Sequence, residues 1–195
     1  MFVLTIDQRG SRRTDDRVPE LIAAVAAAAE VRTVLGAERT VGDEVQLVVD
    51  DVWSVVETVE ICSRLGGWTV GVGVGSMDEP RADSTRAARG TAFTAARQAV
   101  ERAKRTPAHL SIAGGSDPYA ARRAESVLWL LVAVQGRRTG RGWQVVETVR
   151  AGGSQRAAAA RLGVSEQAVS QALQTAAHAE TERGRELAAW LLEQL

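Results

Sequence analysis

Residues 155–173 read QRAAAARLGVSEQAVSQAL. Ala159 supplies a small side chain at the point where two helices would cross closely. Gly163 follows four residues later and permits the positive φ that a chain reversal needs. Ser165 can then cap a second helix by accepting a hydrogen bond from a backbone N–H, and apolar residues recur in that helix at i, i+4 spacing. The spacing predicts a helix-turn-helix over this stretch.

The second of these helices carries polar side chains on the face that its apolar residues leave free. Such side chains suit hydrogen bonding to base edges in the major groove of double-stranded DNA. The residues predicted to face bases are Ser165, Glu166, Gln167, Ser170 and Gln171. Those predicted to position the phosphate backbone are Gln155, Arg156 and Arg161. The alternatives are an accidental pattern in an alanine-rich chain and a motif that serves only packing or protein binding.

The composition is that of an ordinary soluble globular protein, with 45% hydrophobic and 25% charged residues among 195. This length allows one large domain or two small ones. The single Cys62 cannot form an internal disulfide, and with the scattered His109 and His178 it does not make a zinc site. No apolar run approaches the ~20 residues that a membrane span needs. We therefore expect a cytoplasmic protein with no membrane partner.

The charge is unevenly distributed although its net value is zero, and a zero net charge argues against indiscriminate coating of nucleic acid. Residues 1–116 hold 14 basic and 16 acidic residues, whereas residues 117–195 hold 10 and 8. The positive half is the half with the predicted helix-turn-helix. Because the excess is small, we expect DNA affinity to depend on a few placed arginines and on dimerisation.

The first 115 residues alternate between strand and helix patterns. Strands are predicted at residues 2–7, on both sides of a tight turn at Gly42 and Asp43, at 68–75 and at 109–115, and helices at 19–30, 52–65 and 84–104. The order β-α-β-β-α-β-α-β is that of a ferredoxin-like, palm-like sandwich with one added unit. The GGSD segment at residues 114–117 predicts a linker. We therefore predict an α+β chain with an α/β domain at 1–115 and an all-α helix-turn-helix domain at 116–195.

The second domain is predicted to begin with a helix that ends near Val134, followed by a flexible basic turn at 136–142 that either touches DNA or is solvated. Beyond Leu173 the helical pattern continues to the C-terminus, with an apolar stripe at i, i+3, i+4 and i+8 spacing. The stripe consists of Leu187, Trp190, Leu191 and Leu195. It needs a partner, either the first helix of its own domain or a second subunit. Since specific binding by one small helix-turn-helix usually needs two DNA half-sites, we expect a homodimer.

Two acids of the first domain form a candidate metal site. Asp7 ends the first predicted strand, and Asp43 lies in the hairpin turn. If that strand lies beside the hairpin, both carboxylates meet at one edge of the sheet, where Mg²⁺ would relieve their repulsion and hold a triphosphate. The alternative is that one caps a helix or turn and the other only makes the hairpin turn. Arg97 and Lys104, seven apart on one predicted helix face, either reach phosphates or are simply solvated.

Four segments of the first domain resemble successive motifs of the SatD family: TIDQRGSRRTDDR, GDEVQLVV, GVGVGSMDEP and GTAFTAARQAVERAK. The resemblance covers about residues 2–105, and that family is similar to the palm-like core of class III nucleotide cyclases and diguanylate cyclases. It implies that Asp7 and Asp43 hold metal ions and that the domain binds a nucleotide. Cyclases have an Asn and an Arg four apart where Thr94 and Arg97 stand, so we expect nucleotide binding without turnover.

These observations predict a sequence-specific DNA-binding transcriptional regulator whose nucleotide-cyclase-like first domain senses a nucleotide or mediates dimerisation. The alternative is a Mg²⁺-dependent nucleotide cyclase, or another phosphoryl-transfer enzyme, tethered to DNA. In a third hypothesis the first domain is a scaffold that only dimerises the DNA reader.

Overall fold

A computed structural model describes residues 1–80 and 82–195 of the chain. These residues form a mixed α/β structure with five strands and eight helices. The strands are β1 (Phe2–Gln8), β2 (Leu35–Arg39), β3 (Glu44–Val49), β4 (Trp68–Val74) and β5 (Leu110–Gly114). The helices are α1 (Val18–Ala27), α2 (Val52–Leu65), α3 (Thr91–Ala103), α4 (Pro118–Gln135), α5 (Gly140–Gly152), α6 (Gln155–Leu162), α7 (Glu166–Thr175) and α8 (His178–Glu193). None of the described helices has the length and apolar character to cross a membrane.

The five strands form one sheet in the order β2-β3-β1-β4-β5. Neighbouring strands are antiparallel except β4 and β5, which are parallel. The turn between β2 and β3 passes through Gly42, whose φ of +61° a glycine adopts without steric cost. The order of strands and helices predicted for the first 115 residues is confirmed, and so is the hairpin.

Alternating glycines in β4 let α3 pack directly on the backbone of the sheet. A Cβ atom at Gly71 would lie 2.2 Å from the nitrogen of Val100, and one at Gly73 would lie 2.1 Å from the carbonyl oxygen of Ala92. Both distances are shorter than any van der Waals contact. The glycines are therefore required by the close approach of a helix.

The helix α3 is shorter than predicted, because it begins at Thr91 and not near Ser84. Gly90 precedes it with a φ of +139°, which no helical residue adopts. Upstream, the Oε2 atom of Glu38 accepts hydrogen bonds from the N–H of Thr85 at 3.1 Å and from its hydroxyl at 3.0 Å. This connection to β2 holds the segment before α3 as a loop.

The main hydrophobic core lies on the face of the sheet opposite α3, where the residues that alternate with the glycines point. Leu4 and Ile112 of the sheet share one buried cluster with Val55 of α2, Leu128 of α4 and Leu192 of α8. A separate buried cluster joins α5, α6 and α7, and consists of Val145, Val146, Ala158, Ala159, Val169, Leu173 and Ala176. The core thus groups α4 and α8 with the sheet, although both helices follow residue 115 in the chain. The domain boundary at residue 115 stays a prediction.

The helix predicted to continue beyond Leu173 is interrupted. The helix α7 ends at Thr175, Ala177 has a φ of +49°, and α8 begins at His178. A left-handed residue cannot belong to a right-handed helix, so the chain changes direction here. The two helices are therefore separate elements.

The predicted apolar stripe of α8 is divided between core and surface. Leu191 is buried and Leu195 packs against the main core. Leu187 and Trp190 are 47% and 56% exposed. The chain itself therefore covers part of the stripe and leaves the other part on the surface.

Candidate functional site

The helices α6 and α7 are joined by a tight turn whose hydrogen bonds follow the sequence pattern. Ser154 caps α6, and its Oγ accepts from the N–H of Ala157 at 3.1 Å. Gly163 ends α6 in the left-handed conformation, with φ +65° and ψ +35°. Ser165 then caps α7 by accepting from the N–H of Ala168 at 3.1 Å. The polar residues of this turn thus satisfy the backbone groups that helix ends leave unpaired.

The buried side of this helix pair fixes which residues face outward. Ala159 of α6 packs with Val169 and Leu173 of α7, and all three lie against Val145 and Val146 of α5. The residues predicted to contact DNA lie on the other side. Seven of them are exposed, namely Gln155, Arg156, Arg161, Ser165, Glu166, Gln167 and Gln171, while Ser170 is half-buried. All but Ser170 are thus accessible, and the Oγ of Ser165 is already used as a cap.

The charge around the helix pair is more positive than the count over the whole second half suggests. Residues 136–175 contain six arginines and two glutamates, and no lysine or aspartate. Arg156 and Arg161 are exposed and have no ion-pair partner within the part of the chain that the structure describes. Free guanidinium groups of this kind bind phosphate oxygens.

One arginine of the predicted basic turn has a structural role. The Nε of Arg138 donates to the carbonyl oxygen of Ala176 at 2.8 Å, and its Nη2 donates to the hydroxyl of Thr181. Its guanidinium also lies 4.7 Å from the ring centre of Trp143, within range of a cation–π contact. Burial lowers the pKa of Arg138. Arg138 therefore ties the α4–α5 turn to the α7–α8 joint, and DNA contact by the basic turn at 136–142 stays a prediction.

A buried ion network connects α2 to the helical part of the chain. Glu60 of α2 is 5% exposed. Its carboxylate accepts from Arg150 of α5, from Arg185 of α8 at 2.5 Å and from the amide of Gln135 at 2.7 Å. Although burial raises the pKa of Glu60, hydrogen bonds and charge from the two arginines hold it below its ordinary value. Sequence reasoning missed this network, and its signal was the two glutamates, Glu57 and Glu60, inside the apolar run VVETVEIC.

The predicted metal ligand Asp7 is paired with the predicted phosphate contact Lys104. Their Oδ2 and Nζ atoms are 2.8 Å apart, and hydrogen bonds to Asp7 and Glu101 raise the pKa of Lys104. The backbone of Asp43 lies beside β1, since its carbonyl oxygen accepts from Gln8 N–H at 3.3 Å. The described residues contain no group of three or more His, Cys, Asp or Glu side chains that could hold a metal ion. The Mg²⁺ site at Asp7 and Asp43 stays a prediction.

Arg97, the other predicted phosphate contact, lies on the wall of a cavity of about 520 Å³ beside the first half of α3. Arg86 and Arg89 line the same cavity. Lys104 is at the opposite end of α3 and does not line it. The structure thus separates the two predicted phosphate contacts and places Arg97 with two arginines that sequence spacing did not single out.

Comparison of the chain with family models, with curated proteins and with solved structures found no match. The feature with the most specific geometry is the exposed polar face of α7 within an arginine-rich helical unit.

Proposed function

We propose that the chain is a sequence-specific regulator of transcription that binds double-stranded DNA through a helix-turn-helix formed by α6 and α7. The observation that carries the proposal is the exposed row of Glu166, Gln167 and Gln171 on the helix α7, whose other side is buried. A recognition helix reads base edges with such side chains from its N-terminal turns. Ser170 borders the row and is half-buried.

Phosphate contacts would come from α6 and its surroundings. Arg156 and Arg161 are exposed, and Gln155 begins the helix, so their side chains can reach the backbone on either side of a groove. Salt bridges to phosphate release counterions, which makes the affinity depend on salt. In this proposal the arginines orient the protein and α7 selects the sequence.

A homodimer would supply the second half-site. Leu187 and Trp190 form an exposed apolar surface on α8, and they support α8 as part of the contact between subunits. Burial of such side chains stabilises an interface by roughly 25 cal/mol per Å² of apolar surface. We expect the Trp190→Glu variant to sediment as a monomer under conditions where the native chain sediments as a dimer.

For the first domain we propose a palm-like, SatD-type fold that binds a nucleotide. The βαββαβ order and the antiparallel pairs β2–β3, β3–β1 and β1–β4 support the fold. Arg86, Arg89 and Arg97 line one cavity and support the proposal of nucleotide binding there. The reason is that one guanidinium group can donate to two phosphate oxygens at once. Arg97→Gln is expected to lower nucleotide affinity in calorimetry, whereas Arg105→Gln, on an exposed residue beyond α3, is the matched control.

The alternative of a Mg²⁺-dependent phosphoryl-transfer enzyme is favoured by one observation, that the backbone of Asp43 lies beside the strand of Asp7. In that case the cation must displace Lys104 from Asp7. Lys104→Met would then strengthen Mg²⁺ binding, and Asp43→Asn would abolish both binding and pyrophosphate release. If none of the common nucleoside triphosphates is turned over, the enzyme alternative loses its support and only nucleotide binding remains.

The direct test is selection of bound fragments from random DNA, with and without a nucleotide mixture and Mg²⁺. Gln167→Ala is expected to cost about 1–3 kcal/mol at one base position only. Arg156→Ala is expected to weaken binding to all sequences and to reduce the salt slope by about 1. Gln98→Ala and Arg105→Ala, both exposed and outside the helical unit, serve as controls. A selection that yields no common sequence would refute the proposal.

A further inference from the structure

A cavity of about 680 Å³ lies between α2, the start of β4, the connection into β5 and α4. This volume is within the usual range of roughly 300–1,000 Å³ for small-molecule sites. Its wall is mainly apolar, and includes Val59 of α2, Trp68 of β4, and Trp129 and Val132 of α4. The cavity is separate from the arginine-lined one beside α3, because the two share no lining residue.

Three residues of this wall have a buried polar atom without a hydrogen-bond partner in the described chain. The atoms are Ser63 Oγ, Trp68 Nε1 and His109 Nδ1. Trp129, on the facing helix, differs, since its Nε1 donates to the carbonyl oxygen of Leu110 at 2.9 Å. An unsatisfied buried polar group costs about 1–3 kcal/mol. All three atoms belong to residues that line one cavity, although the atoms themselves are buried.

The charge of the cavity wall is positive. Arg9 and Arg137 line it, and no acidic residue does. Neither guanidinium has an ion-pair partner among residues 1–80 and 82–195. Burial and the charge of Arg9 lower the pKa of His109, which keeps its ring neutral at pH 7. The guest that this wall favours is therefore an anion.

His109 is also held in an unusual backbone conformation. Its φ is +49°, which is rare for a residue other than glycine. Its carbonyl oxygen accepts from Val70 N–H at 2.8 Å, and its N–H donates to the carbonyl oxygen of Thr106 at 3.2 Å. Strain of this kind is found most often at binding sites. The loop is fixed on both sides, so the imidazole has a defined place in the wall.

We propose that this cavity binds a small planar aromatic acid. The ring would lie against Trp68 and Trp129, and the carboxylate would pair with Arg9 or Arg137. A nucleotide fits less well, since no Asp, Glu, Asn or Gln lines the cavity to bind ribose hydroxyls. The aromatic ring matches the apolar tryptophan side chains of the wall, and the acidic group matches its two arginines.

The cavity is connected to the proposed DNA reader by the last turn of α4. Val132 and Gly136 line the cavity, and Gln135 between them donates to Glu60. Arg138, next to the lining residue Arg137, holds the α7–α8 joint. A bound acid that moves this turn would shift α7. This coupling rests on the proposed function, whereas the binding of the acid does not.

The test is titration of the full ¹⁵N-labelled chain with benzoate, indole-3-carboxylate and 2-naphthoate, each paired with its neutral amide, without DNA. The five tryptophan indole N–H signals are assigned from Trp→Phe variants. At least one acid is expected to shift the Trp68 signal saturably while those of Trp143 and Trp190 stay in place. The matching amide is expected to bind about tenfold more weakly, because it cannot pair with a guanidinium.

Variants on one helix separate the site from unspecific binding. Ala133 is exposed and lines the cavity, so Ala133→Trp should fill it and abolish the shift. Val134 is on the same helix and does not line it, so Val134→Trp should retain binding. Arg137→Gln should weaken the acid and leave the amide unchanged.

Five outcomes distinguish the site, the charge of its guest, the coupling and the proposed function. If none of the acids shifts the Trp68 signal at millimolar concentration, or if Ala133→Trp binds as tightly as Val134→Trp, the site is refuted. Equal affinity for acid and amide refutes the anionic guest. A bound acid that leaves DNA affinity unchanged refutes only the coupling, and failure to bind DNA at all refutes the proposed function while the site stands.

Discussion

Replacing Glu60 by glutamine tests whether the buried ion network fastens the unit of α5, α6 and α7 to the rest of the chain. The substitution keeps the size of the side chain and removes its charge. Arg150 and Arg185 would then lose the carboxylate that they share, at a position that is 5% exposed. The variant therefore changes the electrostatics of the network without opening a cavity.

The expected loss of stability follows from what remains around the two arginines. Removing one partner of a buried ion pair usually costs about 3–5 kcal/mol, because the other charge stays buried without compensation. Here Arg150 keeps Glu182, and Arg185 keeps Glu57 at 2.9 Å. The cost should therefore lie near the lower limit, about 3 kcal/mol.

The pH dependence has a defined sign. The folded-state pKa of Glu60 lies below its ordinary value of 4.5, so the carboxylate stabilises the fold fully above that value. Its contribution is lost as the pH falls through the folded-state pKa, because a protonated glutamate resembles glutamine. The difference between the native chain and Glu60→Gln should be largest near neutral pH and should shrink below pH 4.5.

The assay is urea unfolding of both chains over a range of pH, followed by tryptophan fluorescence and circular dichroism. Glu101→Gln is the control, because Glu101 is exposed and pairs with Lys104, which also has Asp7. Its effect should be within about 0–1 kcal/mol. A Glu60→Gln variant as stable as this control at pH 7, or one whose deficit grows in acid, would show that the network does not stabilise the fold.

Three further substitutions test the packing of α3 and the cap of α7. Gly73→Ala would place a Cβ atom 2.1 Å from the carbonyl oxygen of Ala92, so unfolding midpoints should reveal a loss of about 1–3 kcal/mol or more. Gly36→Ala is the control, because a Cβ atom there has no neighbour within 4 Å, and it should change stability by less than about 1 kcal/mol. Equal losses at both glycines would contradict the packing of α3 on β4. Ser165→Ala removes the cap of α7 and should cost about 0.5–2 kcal/mol of stability. The measurement is hydrogen exchange at the Ala168 amide, which should become faster. Unchanged exchange there would mean that the cap contributes nothing.

Local patterns predicted the elements of the fold well, because short-range chemistry determines them. The hairpin at Gly42, the end of α2 before Gly66, and the turn at Gly163 all depend on residues that are neighbours in sequence. The start of α3 was misplaced because it depends on a distant residue, Glu38, which holds Thr85 out of the helix. The break after Thr175 likewise has no glycine or proline to announce it.

The candidate sites show the same limit more strongly. The outward face of α7 follows from helical spacing, so its exposed residues were predictable. The pairing of Asp7 with Lys104 was not, since 97 positions separate them and either residue alone suggested a ligand contact. The cavity between Trp68 and Trp129 is lined by α2, β4, the connection into β5 and α4, which only the tertiary fold brings together. No periodicity in the sequence marks such a place.

The attachment of α5, α6 and α7 to the rest of the chain differs in kind from the attachment of α4 and α8. The latter share the apolar core of the sheet, whereas α5–α7 have a hydrophobic cluster of their own. Their links to α2 are ion pairs, Glu60 with Arg150 and Arg64 with Glu147, and Arg138 adds hydrogen bonds at the α7–α8 joint. Arg64 and Glu147 are partly exposed, so water can replace that contact at little cost, whereas breaking the buried Glu60 network leaves charges without compensation. If the chain is the regulator proposed above, a change in the Glu60 network would move α5, α6 and α7 as one unit, because these helices keep a hydrophobic cluster of their own.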